Sequence, residues 1–410
     1  MNPRRKREEV PAHASLEHLL ASKEMVVFCG SGGVGKTSAA AAAAAVASAR
    51  LGGSVLVLTV DPARRLATAL GLEGIGNVAR EVPVEKFREF GVQPRGRMFA
   101  AMLDTKRSWD DLVHRYAPDE ETAYKILENP LYHNITGRFI NAHEYIAMER
   151  LYELHRSGDY DLIVIDTPPT RNAIDFLEAP QRMADFFGGW FLRVLTLPYK
   201  VGGKRGVRAL DFAARPFYRI ADRLLGGDFM RRLGEFFLNF QSMQEGFVTR
   251  AREVEALLHD RRTTFCVVST LESAPLAEAE FFCTKLDELD FDLGALILNR
   301  ALPDFLHDAA ACEVAQRLDD PQVAAEVAER LGTLDSERFG DEVRTSGLLH
   351  TIADNFENFS VVAKREAEMQ AELATGAAGA VPDVIARVPQ FEVDIADLGG
   401  LLRIGDHLFG

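Results

Sequence analysis

The stretch from Met25 to Gly52 constrains this chain more than any other. MVVFC (Met25 to Cys29) is a short apolar run, and four glycines follow within six residues (Gly30, Gly32, Gly33, Gly35). Thr37 to Gly52 is then built mostly of alanine, the best helix former. Strand, glycine loop and helix in direct succession fit G-x-x-x-x-G-K-[ST] over Gly30, Ser31, Gly32, Gly33, Val34, Gly35, Lys36 and Thr37. Such a loop turns backbone N–H groups inward around phosphate oxygens at the start of a helix. In this pattern Lys36 bridges the β- and γ-phosphates of a nucleoside triphosphate, Thr37 ligates Mg²⁺, and Ser38 completes the phosphate-contacting set.

The same residues satisfy G-x-G-x-x-G, and Asp61 ends the second apolar run where a dinucleotide fold places its ribose-binding acid. That reading gives no role to Lys36, Thr37, Asp166 or Asn299. The triphosphate reading uses all four.

Ser54 to Asp61, Tyr160 to Pro169, Thr263 to Thr270 and Gly294 to Arg300 are further apolar, β-branched-rich runs ending in polar or turn residues. Buried parallel strands have this composition, and helical patterns lie between them. The expected fold is α/β, a doubly wound, mostly parallel sheet with ligands at the carboxyl ends of its strands. Asp104 to Arg156 and Asn172 to Asp260 fall outside that rhythm and read as helical. The predicted organisation is a tail at 1–24, a core of 25–103, 157–171 and 261–410, and an inserted helical subdomain from 104–156 and 172–260. A late helical stretch from Glu313 to Leu373, a final strand at Val384 to Phe391 and a last helix reaching Leu408 complete the expected core.

With 410 residues, 47% hydrophobic and 26% charged, the chain has the balance of a globular protein. Its net charge of -14 argues against nucleic acid as a partner, because phosphate contacts want a basic surface. The four cysteines form no CxxC, so neither a disulfide framework nor a zinc site is indicated, and a reducing cytoplasm fits. No apolar run of signal-peptide length precedes Met25, and Phe186 to Pro198, the longest greasy stretch, is too short to span a bilayer.

The glycine loop together with TVDPARRL (Thr59 to Leu66), DTPPT (Asp166 to Thr170) and LILNR (Leu296 to Arg300) resembles the ArsA family, the arsenite-pump and tail-anchored-protein-targeting ATPases. That family is a branch of the dimeric deviant-Walker P-loop NTPases. The resemblance implies an ATP hydrolase with ATP and Mg²⁺ as its cofactors. In it, Asp61 orients or deprotonates the attacking water, Asp166 holds Mg²⁺ through water, Thr167 to Thr170 form the second switch, and Asn299 hydrogen-bonds adenine. TKLD (Thr284 to Asp287) spells a guanine-recognition motif, but it lies inside an amphipathic run and reads as a helix face.

This sequence departs from the family pattern at Ser31, where the dimers usually carry a lysine that reaches the partner's nucleotide. Arg171 follows the second switch and Arg64 extends the first. Each is a candidate to supply the missing cation, since a guanidinium stays charged and pairs with phosphate oxygens. A surface ion pair is the plainer reading of either arginine. A homodimer and a heterodimer with a related ATPase subunit are both open. An ATP-binding regulatory or scaffold subunit with little turnover of its own is the alternative to a self-sufficient enzyme.

Thirteen aromatic residues lie between Phe186 and Phe247, with ten Lys or Arg against five Asp or Glu. They fit the core of a helical subdomain, a groove for a hydrophobic client as in the targeting relatives, or a peripheral contact with anionic lipid at the inner face of the membrane.

Overall fold

The computed structural model describes residues 15–60, 65–129, 132, 142–168, 177–179, 181, 182, 185, 236, 238, 239, 243–374 and 382–409. Eight strands form one sheet: β1 (Met25–Gly30), β2 (Ser54–Thr59), β3 (Arg80–Glu81), β4 (Arg97–Met102), β5 (Leu162–Asp166), β6 (Thr263–Ser269), β7 (Leu293–Ala301) and β8 (Val384–Pro389). Their order is β3-β4-β2-β5-β1-β6-β7-β8. Every pairing is parallel except that of the short edge strand β3 with β4. This is the mostly parallel α/β sheet expected of a P-loop NTPase.

β1 sits between β5 and β6, and all six of its residues are buried. Alternate side chains serve opposite faces of the sheet, as strand geometry requires. Met25, Val27 and Cys29 join one apolar cluster, whereas Val26 and Phe28 join the other.

On the second face lies α2 (Lys36–Arg50), the alanine-rich helix. Its residues from Ala39 to Ser48 are all buried, because the sheet covers one side and α14 (Leu398–Phe409) covers the other. Small side chains are what allow that sandwich. A β-carbon on Gly405 would come 2.0 Å from Cγ2 of Val46, so the two helices meet at van der Waals distance through a glycine. The short helix α1 (Leu16–Ala21) packs beside them.

The first face is covered by α5 (Thr105–Tyr116), α6 (Glu120–Leu127), α7 (Ala142–Ser157), α8 (Gln244–Leu258) and α9 (Ser273–Glu288). Thr284 to Asp287 lie within α9, where Thr284 Oγ1 donates to the Glu280 carbonyl one turn back, so the TKLD run is a helix face. Asp104 and Asp119 cap α5 and α6 by accepting backbone N–H groups, as helix N-termini require. Among these helices Glu149, only 2% exposed, pairs with Arg250 at 3.1 Å and accepts from Tyr116 at 3.0 Å. Burial pushes the Glu149 carboxyl up, against the opposing pull of Arg250. One charged cluster thereby ties α5, α7 and α8 together.

Sequence periodicity missed β3 and β4. RMFAAM (Arg97 to Met102) has no β-branched residue, and its strand character comes from pairing with β2 across six positions. The late helical stretch is four helices rather than one: α10 (Ala309–Leu318), α11 (Pro321–Leu334), α12 (Ser336–Phe339) and α13 (Glu342–Ala374). Asp308, Asp320 and Asp335 each cap the following helix and mark the breaks. Two further short helices, α3 (Arg65–Ala69) and α4 (Val84–Arg88), pack on α2 and α14 respectively. Most of 186–247 lies outside the described residues, so the three readings of that segment stand as they were.

Candidate nucleotide site

The loop between β1 and α2 closes on itself. Gly33 and Gly35 take φ of 83° and 95°, the left-handed region that glycine enters without steric cost. Gly35 is the N-cap of α2 and contributes no capping side chain, and the first turn of the helix carries no acidic residue. The leading N–H groups of α2, those of Lys36, Thr37 and Ser38, therefore meet an end of the helix that favours an anion. Lys36, 7% exposed, donates from Nζ to the Ser31 carbonyl at 2.7 Å, folding its ammonium over the loop. Ser31 is itself buried, and its hydroxyl has no hydrogen-bond partner among the described residues.

Asp166 closes β5 directly beside this loop and is 1% exposed. One of its oxygens, Oδ2, accepts from Thr37 Oγ1 at 2.7 Å and from Thr59 Oγ1 at 2.9 Å. Thr59 is a contributor that sequence reasoning missed. It ends β2, and the β2–β5 register sets it opposite Asp166, a relation visible only once the strands are paired. Thr167 follows and anchors the turn, donating from Oγ1 to the Phe28 carbonyl at 2.7 Å. Behind the loop, burial pushes the Cys29 thiol up to about 12, against the pull of Thr167 and Lys36.

Asn299 reaches the loop from β7. The β7–β8 register shifts between Leu298 and Ala301, leaving one extra residue on β7, and Arg300 there takes φ of 57°. For a non-glycine residue that conformation costs roughly 1–2 kcal/mol. The bulge sets the Asn299 side chain against the loop, where Nδ2 donates to the Val34 carbonyl at 2.7 Å. A loop of glycines, an ammonium and a helix N-terminus thus meets a hydroxyl–carboxylate pair within hydrogen-bonding distance. Hydroxyl and carboxylate oxygens are hard donors of the kind Mg²⁺ takes, so the residues present fit that ion and a phosphate chain.

The sequence supports the same assignment. Residues 23–332 match the family described as anion-transporting ATPase. The chain belongs to the ArsA ATPase family. Among curated ArsA-type relatives, "ATPase GET3" of Malassezia globosa is 24% identical over 315 residues, covering 75% of this chain and 83% of that protein. "ATPase ASNA1 homolog" of Entamoeba dispar is 24% identical over 299 residues, covering 70% and 80%. "ATPase GET3" of Lachancea thermotolerans is 25% identical over 319 residues, covering 74% and 80%. Membership in the ArsA family carries nucleotide binding and general ATPase character with it.

Of the residues singled out from sequence, the structure brings together the loop from Gly30 to Ser38, Asp166 and Asn299. Asp61, Arg64 and Arg171 lie outside the described residues. No helix among the described residues is long and apolar enough to cross a membrane.

Proposed function

We propose that this protein is a Mg²⁺-dependent ATP hydrolase working as a dimeric nucleotide switch, in which a core of 25–103, 157–171 and 261–410 moves a client- or partner-binding helical subdomain of 104–156 and 172–260. The observation that supports it best is the convergence of Thr37 and Thr59 on buried Asp166 at the foot of the glycine loop. In a dinucleotide fold that carboxylate would have no work to do.

Thr37 and Asp166 are the residues that would hold Mg²⁺, Thr37 as a ligand and Asp166 through water. Bound there, the cation offsets charge on the phosphate chain. Lys36 leaves the Ser31 carbonyl and turns its ammonium to the β- and γ-phosphates. Asp61 orients or deprotonates the attacking water, and Asn299 gives up the Val34 carbonyl for the edge of adenine. Arg171, or Arg64 in its place, supplies the charge that the family's lysine brings at the position of Ser31. The protein acts in the cytoplasm, as a homodimer or paired with a related subunit. The segment 186–247 meets a hydrophobic client or the inner membrane face.

The test is ATP turnover by the purified chain with Mg²⁺, together with its mass in solution with and without a trapped ATP analogue. Turnover lost in Asp61→Asn and an ATP-dependent dimer are the expected results. Tight ATP binding with neither turnover nor a dimer would overturn this reading in favour of a regulatory subunit that completes its site with another chain.

A further inference from the structure

Among the described residues, the helices between β7 and β8 leave several large apolar side chains exposed. Thr345, Ala353, Ser360 and Ala363 form the inner face of α13, buried where the helix packs on α10 and α11. Beside that row runs a second one: Leu348, Ile352, Asn355, Phe359 and Val362, spaced four, three, four and three residues apart. This is the heptad seam by which one helix receives another. Its apolar members are 53%, 59%, 52% and 45% exposed. Phe305, also exposed, stacks on Phe356 with centroids 6.4 Å apart and widens the seam along one edge. Contiguous apolar surface of this kind marks an interaction site.

Charge selects the occupant. From Asp304 to Glu372 there are sixteen Asp or Glu against six Lys or Arg, so this module carries most of the chain's charge of -14. A second copy of the same face would bring the same sign and be repelled, and so would an anionic lipid surface. A helix with leucine-like residues along one stripe and lysine or arginine beside them meets both features at once. All of α13 lies beyond residue 332, where the family match ends, whereas Phe305 lies within it. We propose that the outer face of α13, with Phe305 at its edge, is a docking site for a basic amphipathic helix of a partner protein.

The test uses the full chain and two fluorescent peptides of about three heptads, both with leucine at a and d. One has lysine at e and g and the other glutamate. Binding is read by anisotropy at low and at roughly 0.5 M salt, where screening removes most of a purely ionic attraction. The lysine peptide should bind at both salts and the glutamate peptide at neither. The double variant Ile352→Ser/Phe359→Ser keeps the net charge and should bind the lysine peptide at least about tenfold more weakly at high salt, with an unchanged melting curve. Val362→Ser, a smaller change on the same seam, should show a smaller loss. Equal binding by wild type and both variants overturns the proposal. So does self-association of the wild-type chain that the double variant abolishes, since the seam would then belong to a second copy.

Discussion

Asn299 and Gly35 are fitted to one another: a β-carbon on Gly35 would lie 2.2 Å from Asn299 Nδ2. Any side chain at 35 therefore displaces the asparagine, and it must also accept φ of 95°. Gly35→Ala should lose about 1–2 kcal/mol of stability from the backbone conformation alone. It should also weaken ATP by roughly tenfold or more, since the loop and Asn299 both shift. Thermal melting and titration with a fluorescent ATP analogue measure the two effects separately.

Thr59→Val keeps the size of the side chain and removes one donor from buried Asp166. Such a loss costs about 1–3 kcal/mol. The expected phenotype is a raised Mg²⁺ requirement for turnover, with nucleotide binding in EDTA unchanged. A Mg²⁺ dependence identical to that of wild type would remove Thr59 from the site.

Arg250→Met leaves Glu149 buried without its cation. Because burial already raises the Glu149 pKa, the carboxyl is neutral at acid pH and the variant loses little there. As pH rises past the ordinary carboxylate range the group must ionise in place, and the loss should grow to about 3–5 kcal/mol. Denaturant melts at pH 5 and pH 8 will show whether the difference from wild type widens in that direction.

Gly405→Val forces α14 away from α2. Overpacking of this kind costs about 1–3 kcal/mol. The melting temperature should fall, and Val46→Ala in the same chain should recover part of the loss by reopening the contact.

Cysteine chemistry gives an independent check of the core. Cys29, Cys266 and Cys283 are buried, and burial pushes all three thiols up, those of Cys29 and Cys283 to about 12. Only Cys312 is partly exposed. Native protein should take up iodoacetamide at Cys312 alone, and mass spectrometry after proteolysis would reveal labelling elsewhere.

How much of this was legible in the sequence depended on distance along the chain. The loop from Gly30 to Thr37 is contiguous, so its spacing alone announced a phosphate site. Asp166 and Asn299 were legible because the short motifs that contain them, DTPPT and LILNR, resemble those of the ArsA family. Thr59 was not, because its contact with Asp166 exists only through the pairing of β2 with β5. Nor was the bulge at Arg300, which depends on the register with β8. RMFAAM carries no strand signal of its own, and its conformation is imposed by its neighbour. Hydrophobic periodicity found the length of helix after Glu313 but not its breaks, which rest on single aspartate caps.

The central place of β1 has a consequence for the order of assembly. Met25–Gly30 precedes its two neighbours, Leu162–Asp166 and Thr263–Ser269, by more than a hundred residues, and the outer cover of α2 follows at Leu398–Phe409. Long-range parallel pairing of this kind forms slowly. A nascent chain thus exposes its glycine loop long before the strands and the carboxylate that shape it arrive. A fragment that stops before Asp166 lacks the carboxylate that accepts from Thr37 and Thr59, and one that stops before Asn299 lacks the side chain held against Val34.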